Sequence, residues 1–92
     1  MEQDAENRRV YWHSRRGMLE LDLMLMPFAE TVYPTLDAPM QALYRELLGC
    51  EDADLFAWLV HRAPPQDPRY IPLIDRILGN GMPRDSHFAP AI

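Results

Sequence analysis

Apolar residues recur three and four positions apart through most of this chain, in runs that glycine or proline repeatedly cuts short. That spacing lines one face of an α-helix on successive turns, whereas a half-buried strand needs alternation every second residue. No segment alternates cleanly, so the expected architecture is all-α, five short helices in one small bundle. With 92 residues, a chain buries only about 60–65% of its unfolded surface, so the core must be compact. The bundle is expected over residues 1–80, with an irregular tail over residues 81–92.

Punctuation sets the expected helices. A first runs from about Glu6 to Arg15, with Asp4 or Asn7 near its cap, and Gly17 follows at a C-cap position. Val10, Tyr11 and Ser14 share one of its faces, and Trp12 flanks them. A second begins at Met18 and carries Leu19, Leu23, Met26 and Ala29 or Glu30 at helical spacing. Leu21, Met24, Leu25 and Phe28 widen that surface, so this helix is expected to be central and mostly buried. Pro27 lies inside it, lacks a backbone donor and predicts a kink or break; Pro34 predicts its end. A third is capped by Asp37, with Pro39 in its first turn and a stripe of Met40, Leu43, Tyr44, Leu47 and Leu48 before Gly49. A fourth is capped by Asp52 and turns Leu55, Trp58 and Leu59 inward, with His61 and Arg62 at its C-terminal end. Residues 63–68, rich in proline, form an extended connector. The fifth places Ile71, Ile74, Ile77 and Leu78 on one face ahead of Gly79-Asn80-Gly81, and Pro72 restricts its start.

Charge excludes several functions. The net charge is −5, which ill suits neutralisation of nucleic-acid phosphates. Lysine is absent, ruling out a lysine Schiff base and a P-loop lysine. Residues 20–54 hold eight acids against Arg45 alone, an acidic surface that would steer a basic partner. The single cysteine, Cys50, reads as a partly buried structural thiol. His13, His61 and His87 lack metal-ligand spacing, and no glycine-rich phosphate loop is present. No run approaches the roughly 20 apolar residues of a membrane span, and the charged start predicts neither a signal peptide nor an organelle presequence. The expectation is a cytoplasmic monomer that is not an enzyme and holds no metal or cofactor tightly.

One segment asks for more: Arg15-Arg16-Gly17-Met18-Leu19-Glu20. Structurally, Gly17 can close one helix while Glu20 bonds back as in a capping box, and Arg16 can pair with Glu20. Functionally, guanidinium groups beside a carboxylate on a helix–helix corner make a compact recognition point. Here the sequence resembles a known family. Arg16-Gly17-Met18-Leu19-Glu20 matches the RGxxE motif of the small SdhE-type flavinylation factors that help assemble succinate dehydrogenase. Trp12 and Arg15-Arg16 precede the motif, while Leu21-Asp22 and Met26-Pro27-Phe28 follow at the family's distances. Asp52-Ala53-Asp54-Leu55-Phe56-Ala57-Trp58-Leu59 resembles its second signature, and the likeness spans about residues 8–80. The proline-rich last third and the tail depart from the pattern and bear on the fifth helix, not on the motif.

The resemblance implies a five-helix bundle and a role in covalent attachment of FAD to the flavoprotein subunit of succinate dehydrogenase, and in some bacteria of fumarate reductase. It assigns Arg16, Gly17 and Glu20 to the functional motif, with Arg15, Trp12, Asp22 and Phe28 as surrounding partner-binding residues. FAD is then the partner's cofactor. Two roles follow: delivery of FAD, or docking on the flavoprotein so that its FAD and histidine are held in the reactive arrangement. The second fits a small bundle without a dinucleotide loop. The competing class is an antitoxin-like or inhibitory helical interaction module. An enzyme comes third, since it would need Glu20 as a buried acid or base.

Overall fold

In a computed structural model, which describes residues 2–81 of the chain, the fold is all-α. Five α-helices follow one another: α1 Glu2–His13, α2 Leu19–Pro27, α3 Ala38–Leu48, α4 Asp52–Leu59 and α5 Tyr70–Gly81. The expected irregular tail and His87 lie outside the described residues, apart from Gly81, which belongs to α5.

Helix α1 starts earlier than its cap residues suggested, so Asp4 and Asn7 lie within it rather than at its head. It also ends sooner. Ser14 makes the closing turn, and Gly17 stands in the linker to α2 rather than at the C-cap.

Pro27 does break the second helix, in a particular way. Its ring nitrogen cannot donate to the carbonyl four residues back, and the chain widens after it into a π-helical turn over Phe28–Val32. The Tyr33 N–H then donates to the Phe28 carbonyl, five residues back. Pro34 tightens the chain into a 3-10 turn over Tyr33–Thr35, and the Tyr33 carbonyl accepts both the Leu36 N–H at 3.1 Å and the Gln41 side chain at 2.9 Å.

Helix α3 forms as its signals predict. The Asp37 carboxylate accepts from the Met40 N–H at 3.0 Å, and Tyr44, Leu47 and Leu48 are buried. Helix α4 differs: Glu51 occupies the N-cap without a side-chain bond, and Asp52 is the first helical residue. Its carboxylate is engaged elsewhere. In α5, Leu73, Ile74 and Ile77 are buried and Ile71 is exposed, and the helix continues through Gly79-Asn80-Gly81 instead of stopping before it.

Helix α2 packs on α4 and α5, while α1 lies against the π-helical turn. Phe28, Tyr33 and Tyr44 form the aromatic centre, their ring centroids 5.2 and 5.5 Å apart. The buried hydroxyls are satisfied. Ser14 Oγ donates to the Val10 carbonyl at 2.8 Å and lies 2.7 Å from the Tyr44 hydroxyl, so the end of α1 is tied to the middle of α3. Burial drives the Tyr44 phenol far above its ordinary value, keeping it neutral. On another side, Arg45 donates to both Glu6 (2.9 Å) and the Tyr33 hydroxyl (2.7 Å), which itself donates to Glu6 at 2.8 Å.

Candidate functional site

The linker of residues 14–18 turns the chain from α1 into α2, and one side chain holds it in place. The Arg16 guanidinium donates from Nε to Asp52 Oδ1 at 2.7 Å, and from one terminal nitrogen to the carbonyls of His13 (3.1 Å) and Leu48 (2.9 Å). Its other terminal nitrogen donates to the Cys50 carbonyl at 3.1 Å. Leu48 and Cys50 lie at the C-terminal end of α3, where carbonyls lack helical partners and the helix dipole favours a cation. Asp52 begins α4, where the dipole favours an anion. The arginine fork thus bridges two helix ends of opposite polarity, a geometry a lysine could not reproduce. Its side chain is only 12% exposed.

The backbone of Arg16 is held as well. Its N–H donates to Asp22 Oδ1 at 2.7 Å, from the first turn of α2. Gly17 follows with φ +83°, and a Cβ added there would meet nothing within 4 Å. Glycine is therefore required for the left-handed backbone and not for lack of room. The outer side of this corner is open.

The remaining motif residues divide cleanly. Arg15, Gly17 and Glu20 are exposed, as are Trp12 at 60% and Leu19 at 69%. Glu20 neither pairs with Arg16 nor closes a capping box. The N-cap of α2 is Met18, without a side-chain bond, and Arg16 has turned to Asp52 instead. Leu19 and Leu23 fall on one outward face of α2, four residues apart, with Glu20 beside them. Leu23 is 55% exposed, so the first two residues of the stripe expected inside lie outside, while Met26 is half-buried and Ala29 buried. Leu21, Met24 and Leu25 point to the core. A largely apolar helix has no periodicity that selects its buried side; contacts with α4 and α5 made the choice.

Phe28 is corrected too. It is completely buried against Tyr44 and offers nothing to a partner. Asp22 and Arg16 act within the chain, shaping the corner. Two features of the corner escaped the sequence reading: Leu19 and Leu23 as exposed apolar surface, and Asp52 as the carboxylate that holds Arg16. Excess apolarity in α2 pointed toward the first. Nothing local pointed to the second, which stands 36 residues from its partner.

Trp12 and Arg15 before the bend, and Leu19, Glu20 and Leu23 after it, are therefore exposed aromatic, aliphatic and charged groups on either side of Gly17 in the chain, the residue types that protein-recognition centres favour. Glu20 is exposed, unlike the buried carboxyl that proton transfer would call for. No group of histidine, cysteine and carboxylate side chains suited to a metal occurs among the described residues. No helix among them is long and apolar enough to cross a membrane.

Comparison with known proteins places this geometry. A family model described as flavinator of succinate dehydrogenase matches residues 8–80, from the exposed face of α1 into α5. The FAD assembly factor SdhE of Pseudomonas aeruginosa is 49% identical over 83 residues, covering 90% of this chain and 99% of its own. That of Pseudomonas putida is 45% identical over 84 residues, covering 91% and 100%. That of Shewanella oneidensis is 40% identical over 75 residues, covering 82% and 92%. The chain belongs to the family of succinate dehydrogenase flavinators.

Proposed function

We propose that this chain docks on the flavoprotein subunit of succinate dehydrogenase, or of a fumarate reductase, and promotes covalent attachment of the FAD that subunit holds. The observation that carries the reading is the exposed corner: Trp12, Leu19 and Leu23 stand open to solvent around Gly17, on a backbone braced by Arg16. Exposed apolar groups clustered with charges mark an interaction site. The similarity to FAD assembly factors over nearly their whole length supplies the kind of partner.

The interior supports docking over delivery. Phe28, Tyr33, Tyr44, Leu21, Leu25 and Leu47 fill it without exposure, leaving the bundle centre closed to a dinucleotide. One open surface concavity runs along α1 between Ala5, Arg8, Arg9, Trp12 and His13. Acting from outside, the chain would accelerate flavinylation by ordering the flavoprotein's own FAD and histidine, where fixing reactants in position can supply much of a barrier reduction.

The test mixes purified flavoprotein subunit and FAD with and without this protein and follows covalent flavin fluorescence on a denaturing gel. A faster rise with the protein is expected; an unchanged rate overturns the reading. Affinity capture supplies a second measurement. Recovery of the flavoprotein subunit is expected, and consistent recovery of an unrelated basic protein instead would establish the inhibitory-module alternative. Yellow colour surviving dialysis of the isolated protein would overturn docking in favour of delivery.

A further inference from the structure

We propose that Asp52, at the head of α4, is a positioning residue for the Gly17–Glu20 corner and acts through Arg16. The inference rests on the function proposed above and assigns the block that resembles the family's second signature, Asp52 to Leu59, a part in the same site rather than a site of its own.

The argument begins with charge compensation. At 12% exposure, the Arg16 side chain has lost most of its hydration, and a guanidinium so placed needs a carboxylate or a full set of acceptors. Three of its acceptors are neutral carbonyls, those of His13, Leu48 and Cys50. Asp52 is the carboxylate with which it forms an ion pair, at 2.7 Å from Nε. The charge-assisted bond is the strongest in the set, and it sets the tilt of the guanidinium plane, since Nε is the one donor nearest the chain.

From there the constraint passes to the backbone. Arg16 is held at its side chain by α3 and α4 and at its own N–H by Asp22 of α2. With both ends fixed, the direction in which the chain leaves Arg16 is fixed, and Gly17 completes the turn at φ +83°. Met18 then opens α2 without any side-chain cap, so α2 does not organise its own start. The outward presentation of Arg15, Leu19 and Glu20 depends on the Arg16 anchor, and the anchor depends on Asp52. Asp52 is itself half exposed, at 45% of its side chain, and an asparagine there keeps an oxygen for Arg16 Nε while three carbonyls hold the rest of the fork, so the substitution weakens the anchor without stripping it of acceptors.

Asp52→Asn, Asp52→Glu, Arg16→Gln and the Asp52→Asn/Arg16→Gln double variant provide the test, each checked first by thermal melting. In nitrogen-15 correlation spectra, Asp52→Asn is expected to move the Gly17 and Glu20 amides while the α5 amides stay put. In the flavinylation assay, it is expected to raise the half-saturating concentration of this protein about tenfold, the loss associated with one charge-assisted hydrogen bond. Arg16→Gln should do at least as much, the double variant no more than Arg16→Gln, and Asp52→Glu should restore stimulation. Losses that multiply in the double variant would show Asp52 touching the flavoprotein directly and overturn the proposal. Unmoved Gly17 and Glu20 amides in Asp52→Asn would overturn it as well. If wild-type protein fails to stimulate flavinylation, the proposed function falls, while the amide shifts still decide whether Asp52 positions the corner.

Discussion

Substituting Gly17 separates backbone strain from surface blockage, because the structure assigns a size to the first. A non-glycine residue in the left-handed region costs roughly 1–2 kcal/mol. Alanine also restricts the unfolded chain, which returns about 0.5 kcal/mol. No steric penalty adds to this, since a Cβ at Gly17 meets nothing within 4 Å. Gly17→Ala should therefore cost about 1 kcal/mol, a fall of about 4–8 °C in melting temperature for a domain of this size. Gly17→Asn, which tolerates the left-handed region, should fall less. Gly17→Arg should melt close to Gly17→Ala, because its side chain projects into solvent. The two diverge in the flavinylation assay: Gly17→Ala should keep much of the stimulation and Gly17→Arg should abolish it, its side chain standing where docking is proposed. Circular dichroism melts and covalent flavin fluorescence provide both readings. If Gly17→Arg unfolds the chain while Gly17→Ala does not, the corner is packed rather than open and the reasoning fails. Equal loss of stimulation in both would place the effect in backbone strain alone.

Phe28 and Trp12 make an opposed pair. Phe28→Ala should cost about 3–5 kcal/mol, as for any fully buried phenylalanine, and lose cooperative melting, whereas Trp12→Ala should melt almost as wild type yet weaken capture of the flavoprotein by more than about 1 kcal/mol; a Trp12→Ala chain that melts like Phe28→Ala would place Trp12 in the core. Alkaline stability tests the Ser14–Tyr44 link. Burial raises the Tyr44 phenol, so folding favours its neutral form, and that contribution is full below the unfolded tyrosine value of about 10 and lost as pH rises beyond it. Urea melts of Tyr44→Phe should show a loss of about 1 kcal/mol at pH 7 from the missing hydroxyl bond, and a shallower decline above pH 10 than wild type; parallel declines would show that Tyr44 ionises without opening the core.

The helical class, the third helix with its Asp37 cap and the break at Pro27 could all be read from local signals. Each depends on interactions within a few residues: a side-chain oxygen three positions from a free N–H, a ring without a donor. The corner was legible in composition, as charges around a glycine, and its family resemblance came through residues near one another in the chain. What failed was sidedness. In α2 nearly every position is apolar, so Leu19 and Leu23 were assigned to the interior that Leu21, Met24 and Leu25 occupy. Phe28, read among the apolar residues of a buried helix and also named among the partner-binding residues, keeps only the first role and completes the aromatic centre.

By itself, then, the sequence determined the elements, their approximate order of breaks and the residue types gathered at the corner, because helix periodicity, proline geometry and the need for glycine at positive φ act locally. Only the tertiary structure decided the use of those residues. From local spacing, Arg16 was matched with Glu20. It pairs with Asp52 because folding carries the end of α3 and the start of α4 beneath the α1–α2 linker, where a single planar cation meets carbonyls and a carboxylate together. That choice leaves Glu20 and the outer face of α2 free, and the surface left over is the one on which the proposed docking rests.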